Sequence, residues 1–153
     1  MWVRFLPRAY KKFMKRKKKV VNTETKTYKR KEVRKLKNKL LKLWALKVKE
    51  RAGFKCELCG FPGDERLKLN SHHIEHFHTN AALRYDLRNG ICADARCHRF
   101  GRFSCHRSFL TVYKYMMENR REDIDYLLEN YDKDVEMTKE YLEKKIKEFE
   151  NES

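Results

Sequence analysis

A chain of 153 residues is long enough for one domain with appended arms, and its 41% hydrophobic and 12% aromatic content can build a core. With 39% charged residues that core is small, and small cores are usually stapled by disulfides or metal. A net charge of +16, with no apolar run long enough to span a bilayer and no signal-like N-terminus, argues against a membrane protein and for a polyanionic partner. With no export signal, the expected location is cytoplasmic, where thiols stay reduced, and an odd count of five cysteines favours metal over disulfides.

The charge is uneven. Residues 1–55 hold 22 Lys/Arg against 3 Asp/Glu, residues 56–107 hold 8 against 6, and residues 108–153 hold 8 against 13. Excess concentrated in one segment points to nucleic acid more than to a solvated face. Residues 1–28, with the tract around Lys17, Lys18 and Lys19 and the Thr/Asn-rich stretch at 22–27, read as a flexible basic arm. Residues 29–53 read as a basic amphipathic helix: Val33, Leu36, Leu40, Leu43, Trp44 and Val48 include the 3–4 spacing of an apolar stripe, and Gly53 is a natural stop.

Residues 54–119 carry every cysteine and histidine of the chain. Cys56-x-x-Cys59-Gly60 is a tight knuckle whose gap lets both thiolates reach one ion. Residues 67–74 alternate as a strand, residues 88–92 form a second, and a helix interrupted near Gly101 begins at Cys97. Cys97 is the best third ligand. Cys92 is the natural fourth, although its distance from Cys97 is wider than a usual knuckle, so Asp94 and Cys105 compete for that place. Residues 120–153 continue a helical tail, with helices expected over 108–119, 121–131 and 135–150.

His72 and His73 are the catalytic candidates. On a regular strand adjacent side chains face opposite sides, so one imidazole can hold a metal ion while the other takes a proton from water, or a strand end can turn both toward a common substrate. His76 and His78 are read as part of a histidine-rich loop that binds metal loosely. Arg84, Arg88, Arg99 and Arg102 lie inside this block and suit bidentate contact with phosphate.

Taken together, His72-His73-Ile74, residues 83–91 ending in Asn89-Gly-Ile, and Cys97-His98 resemble the HNH endonucleases. Residues 43–60 resemble the leading helix and first knuckle of their zinc-stapled members. The resemblance covers about residues 40–120 and implies an α+β fold: a small zinc-stapled ββα-metal core, with a basic N-terminal arm and helix and a helical C-terminal tail. It also implies metal-dependent hydrolysis of DNA phosphodiesters that leaves 5′-phosphate and 3′-hydroxyl ends. By the resemblance, His72 and His98 bind the catalytic ion, with His106 as a further ligand, His73 is the general base, and Asn89 braces the hairpin and orients that base. Such members place a zinc cysteine where this chain has Asp94, which leaves the structural site open among Asp94, Cys92 and Cys105. Two metals are implied: structural Zn²⁺, and a catalytic Mg²⁺, Mn²⁺, Ni²⁺ or Zn²⁺. Residues 83–89 are similar also to phage recombination endonucleases of the NinG/Rap type, which act on branched DNA. The compact basic build resembles viral and mobile-element proteins, which would place it in a host cytoplasm. A zinc-dependent DNA-binding module without catalysis is the reading from another class, and it would be indifferent to His72 and His73.

Overall fold

The computed structural model describes the backbone over residues 8–151 and side chains over residues 26–151. Its first element is one continuous helix, α1 (Arg8–Arg51), about 66 Å long at the usual rise per residue. The helix expected from residue 29 therefore begins at Arg8, and residues 8–28, read as an irregular arm, are helical. The reason is simple. Neither Gly nor Pro occurs between 8 and 51; poor helix formers such as Asn22, Thr23, Thr25 and Thr27 cost at most about 0.7 kcal/mol each, whereas breaking the helix forfeits hydrogen bonds and requires a second nucleation. The C-terminus closes with Gly53 in the left-handed region (φ 59°), the Phe54 N–H donating to the Lys49 carbonyl and the Gly53 N–H to that of Glu50.

The sheet has two antiparallel strands, β1 (Leu69–His73) and β2 (Gly90–Asp94), paired Leu69 to Asp94 through His73 to Gly90. A short 3₁₀ turn (Leu87–Asn89) leads into β2, and a five-residue π turn (Arg96–Phe100) follows it. Three helices complete the chain: α2 (Phe109–Asn119), α3 (Arg121–Glu129) and α4 (Lys139–Asn151). The last begins four residues later than its apolar pattern predicted. Among the described residues no helix is long and apolar enough to cross a membrane.

Two apolar clusters hold these parts. In the first, Leu40, Trp44 and Val48, one stripe of α1, pack on Cys92 and Tyr85 and on Leu142, Ile146 and Phe149 of α4. Ion pairs Lys139–Glu32 and Lys39–Glu150 join α4 to α1 in step, so the two helices run in the same direction. The second cluster gathers Cys56, Ala93, Cys105, Val112 and Met116 around the other side of β2. All five β2 residues are buried, which makes this strand the centre of the domain.

Between the clusters sits Glu57, a nearly buried carboxylate that receives Arg51 at 3.1 Å, Arg120 at 3.3 Å and the Cys92 N–H at 2.6 Å. The same two guanidiniums donate to the Gly90 carbonyl at 2.8 and 2.7 Å. This network ties the end of α1, the knuckle, β2 and the start of α3 together. Spacing could not disclose it, because Arg120 lies 63 residues from Glu57. The close approach of α1 to β2 also depends on Gly90, where an added Cβ would lie 2.3 Å from Val48 Cγ2 and 3.0 Å from Trp44 Cζ2. Gly90→Ala is expected to lower stability by about 1–3 kcal/mol through overpacking, measured as a shift in chemical denaturation midpoint; an unchanged midpoint would mean that α1 can retreat freely.

Candidate metal centres

Four ligand atoms converge at one end of the sheet. One each from Cys56, Cys59, Asp94 and Cys97, they all lie within 4.8 Å of one another. The knuckle is set against β2 by the Glu57 N–H donating to the Cys92 carbonyl, and is closed by Gly60 N–H to Cys56 O and Cys56 N–H to Phe61 O. Asp94 divides its oxygens between two tasks. Oδ1 accepts the N–H groups of Arg96 and Cys97 at 2.7 and 3.0 Å, fixing the turn that carries Cys97. Oδ2 faces the thiols, 3.0 Å from Cys59 Sγ.

The donor set fits a divalent cation. Asp94 is fully buried, yet forms no ion pair with Lys or Arg among the described residues. A buried charge is ordinarily paired or coordinated to metal. Burial works to raise the Asp94 pKa, but hydrogen bonds from Cys59 and Cys97 outweigh it and hold the carboxyl well below its usual range. Burial pushes the Cys56 and Cys97 thiols up, and for Cys97 the neighbouring Cys59 and Asp94 add to the effect. Free of metal, these thiols therefore stay protonated near neutral pH; a bound cation would displace their protons. Cysteine-rich tetrahedral sites with one harder ligand suit Zn²⁺.

Cys92, expected as the fourth ligand, is not in this group. Its side chain belongs to the core under α1, with Trp44 and Val48, and burial pushes its pKa up to about 11. Cys105 also stays outside. It is buried beside Cys56 and Ala93 in the second apolar cluster, and its pKa likewise rises to about 11. Asp94, the substitute, is the residue that the geometry brings in.

The second convergence is made of imidazoles. His72, His98 and His106 place one ring nitrogen each within 4.8 Å of the others, with ring centroids 4.7–5.2 Å apart. His72 comes from β1, His98 from the π turn, and His106 from the loop after it. The loop is returned to the turn by backbone bonds from Cys105 N–H to Cys97 O and from His106 N–H to His98 O. His98 Nε2 and His106 Nε2 lie 3.1 Å apart. Two nitrogens bound tetrahedrally at about 2.0–2.1 Å would sit roughly 3.3 Å apart, close to what is seen. Burial, followed by the neighbouring imidazoles, brings His72 down to about 4, and burial lowers His98 as well. Neutral imidazole is the ligand form.

His73 points to the other face of β1. Its ring stacks on Trp44, with centroids 3.8 Å apart and planes 13° from parallel, and Nε2 lies 2.9 Å from the Arg84 carbonyl oxygen. A carbonyl can only accept, so that contact assigns the proton to Nε2 and leaves Nδ1 unprotonated in the neutral ring. Burial lowers the His73 pKa, opposed by the Arg84 hydrogen bond. Trp44 belongs to the apolar stripe of α1, and nothing in its spacing announces a histidine 29 residues away as its partner. Asn89 is buried and bridges the intervening loop: Oδ1 accepts the Glu75 N–H at 2.6 Å, while Nδ2 donates to the carbonyls of Glu75 and Leu83 at 3.1 and 3.0 Å. His76 and His78 lie near each other, 5.6 Å between rings, outside both groups.

The arginines separate. Arg84 donates to the Phe77 carbonyl and lies over the Phe77 ring. Arg88 is drawn to α3, over Tyr126 and 3.7 Å from Asp123. Arg99 lines a cleft beside His98, and Arg102 lies over Phe103. Lys17, Lys18 and Lys19 fall on α1, with side chains outside the described residues. No family model, curated protein or solved structure matches the chain.

Proposed function

We propose that this protein is a metal-dependent endonuclease of the HNH type that hydrolyses DNA phosphodiester bonds. The observation that carries the reading is the convergence of three imidazoles, His72 from β1 and His98 and His106 from the segment after β2, beside a separate thiol-carboxylate group. One set is suited to holding a structural Zn²⁺ by Cys56, Cys59, Asp94 and Cys97. The other offers three ligands among the described residues, and a fourth position left to substrate would be the mark of a catalytic rather than a structural site. A divalent ion held there would stabilise charge on the phosphoryl oxygens and the departing 3′-oxygen.

The chain's own residues supply the remaining work. His73, held in one tautomer by the Arg84 carbonyl, offers Nδ1 as the proton acceptor for the attacking water. Asn89 keeps the loop between residues 75 and 83 closed, and so keeps Arg84 in place. The basic face of α1 adds affinity without sequence preference through counterion release. A second reading, a zinc-dependent DNA-binding module without catalysis, draws on the Trp44 stacking, since a histidine packed on a core tryptophan also serves structure alone.

Nicking of supercoiled plasmid across Mg²⁺, Mn²⁺, Ni²⁺ and Zn²⁺ tests the reading. Activity should require an added divalent ion, and His98→Ala should lose it at low metal and regain part at high metal, because a ligand has been removed and not the base. A protein that binds the plasmid but nicks it with none of the four ions would leave the binding-module reading.

A further inference from the structure

The basic cleft next to the imidazoles carries information about the form of DNA this protein takes. It is about 380 Å³, within the range of small-molecule sites, and Arg66, Lys68, Asn70, His98, Arg99 and Phe100 line it. Asn70 and His72 share one face of β1 by their period of two, so the cleft runs directly into the three-imidazole group. Its three cationic side chains outnumber the one carboxylate there, Glu65. Phe100, a residue 71% exposed at the end of the π turn, completes its lining.

An exposed ring among cations, two residues from a candidate metal ligand, has a specific chemical complement. Phosphates neutralise Arg66, Lys68 and Arg99, and a nucleobase covers the ring. In a continuous duplex both faces of every base are already stacked on neighbours, so the ring finds a partner only where a base is unstacked. Phenylalanine has no donor or acceptor, so it selects for an open base face and not for base identity. We infer that the cleft binds an unpaired nucleotide of a DNA strand, stacked on Phe100, beside the phosphodiester presented to His72, His98 and His106. Substrates would then be single-stranded segments, flaps or junction arms in preference to uninterrupted duplex. The choice of DNA rests on the nuclease reading; the preference for an unstacked base rests on the cleft.

The test is fluorescence anisotropy with the full-length protein in Ca²⁺, comparing a labelled single-stranded oligonucleotide with the same sequence as a blunt duplex. Phe100→Ala should weaken single-strand binding by roughly 5- to 150-fold, the range of one lost base stack, and leave duplex binding unchanged. Phe100→Trp should restore it. Phe103→Ala removes another phenylalanine, 65% exposed, that lies under Arg102 and does not line the cleft, and should leave both affinities as they were. Equal loss on both DNA forms, or no loss on either, overturns the inference. So does sedimentation showing that Phe100→Ala disrupts a dimer, which would assign the surface to a second copy. Phe100-dependent single-strand binding without any cleavage keeps the inference and removes hydrolysis. Single-strand cleavage untouched by Phe100→Ala keeps hydrolysis and removes the inference.

Discussion

Cys56→Ser and Cys97→Ser are each expected to lose bound zinc and the cooperative fold, while Cys92→Ser keeps its zinc. Both outcomes follow from where the three sulfurs lie. Cys56 and Cys97 face Cys59 and Asp94, and in small zinc domains metal-binding energy, on the order of 10–16 kcal/mol, is folding energy. Cys92 is packed under Trp44 and Val48, so a serine there buries a hydroxyl at a cost of about 1–3 kcal/mol if it finds no partner. The measurements are the zinc-to-protein ratio by atomic emission and the thermal midpoint. Asp94→Cys refines the test. It should keep zinc, through a fourth thiolate, yet lose about 1 kcal/mol because Oδ1 no longer caps Arg96 and Cys97. Zinc lost from Cys92→Ser but retained by Asp94→Ala would show the ligand set to be wrong.

The choice between Cys92 and Asp94 shows where sequence reasoning ends. The two residues are separated by two positions on one strand, so period-two alternation places both on the same face and cannot choose between them. The choice is made by tertiary docking: the knuckle pairs with β2 at Cys92 through backbone atoms, α1 covers the Cys92 side chain, and the sulfurs reach the strand end at Asp94. His72 and His73 lie on opposite faces, which is the regular-strand arrangement of the two that the sequence left open. His98 and His106 were brought to one ion only by the family resemblance and not by spacing, because their eight-residue gap closes through a π turn and an irregular loop and not through helix periodicity. The stripe Leu40, Trp44, Val48 was legible as core. The helix start at Arg8 was not, because a local cluster of threonine and asparagine looks like a break and costs too little to make one.

The rate should be most sensitive to His73. His73→Ala is expected to slow plasmid nicking about a hundred- to ten-thousand-fold, the usual worth of a general base, with DNA affinity and metal content unchanged. Separation of the two effects follows from the strand: His72 turns toward His98 and His106, whereas His73 turns toward Trp44 and Arg84, so truncating His73 removes no metal ligand. Truncation does open space over Trp44, so rates are to be compared well below the variant's melting temperature. The pH profile gives an independent readout. The base must be neutral to act, and burial lowers the His73 pKa, so the acid limb of the rate should fall below the ordinary imidazole value of about 6.5 and disappear from the residual activity of His73→Ala. His73→Gln, which can keep a donor toward the Arg84 carbonyl but offers no basic nitrogen, should recover stability and not rate. If the alanine variant nicks as fast as the parent and only its melting temperature falls, His73 is a structural partner of Trp44, and a group other than His73 takes the proton from the attacking water.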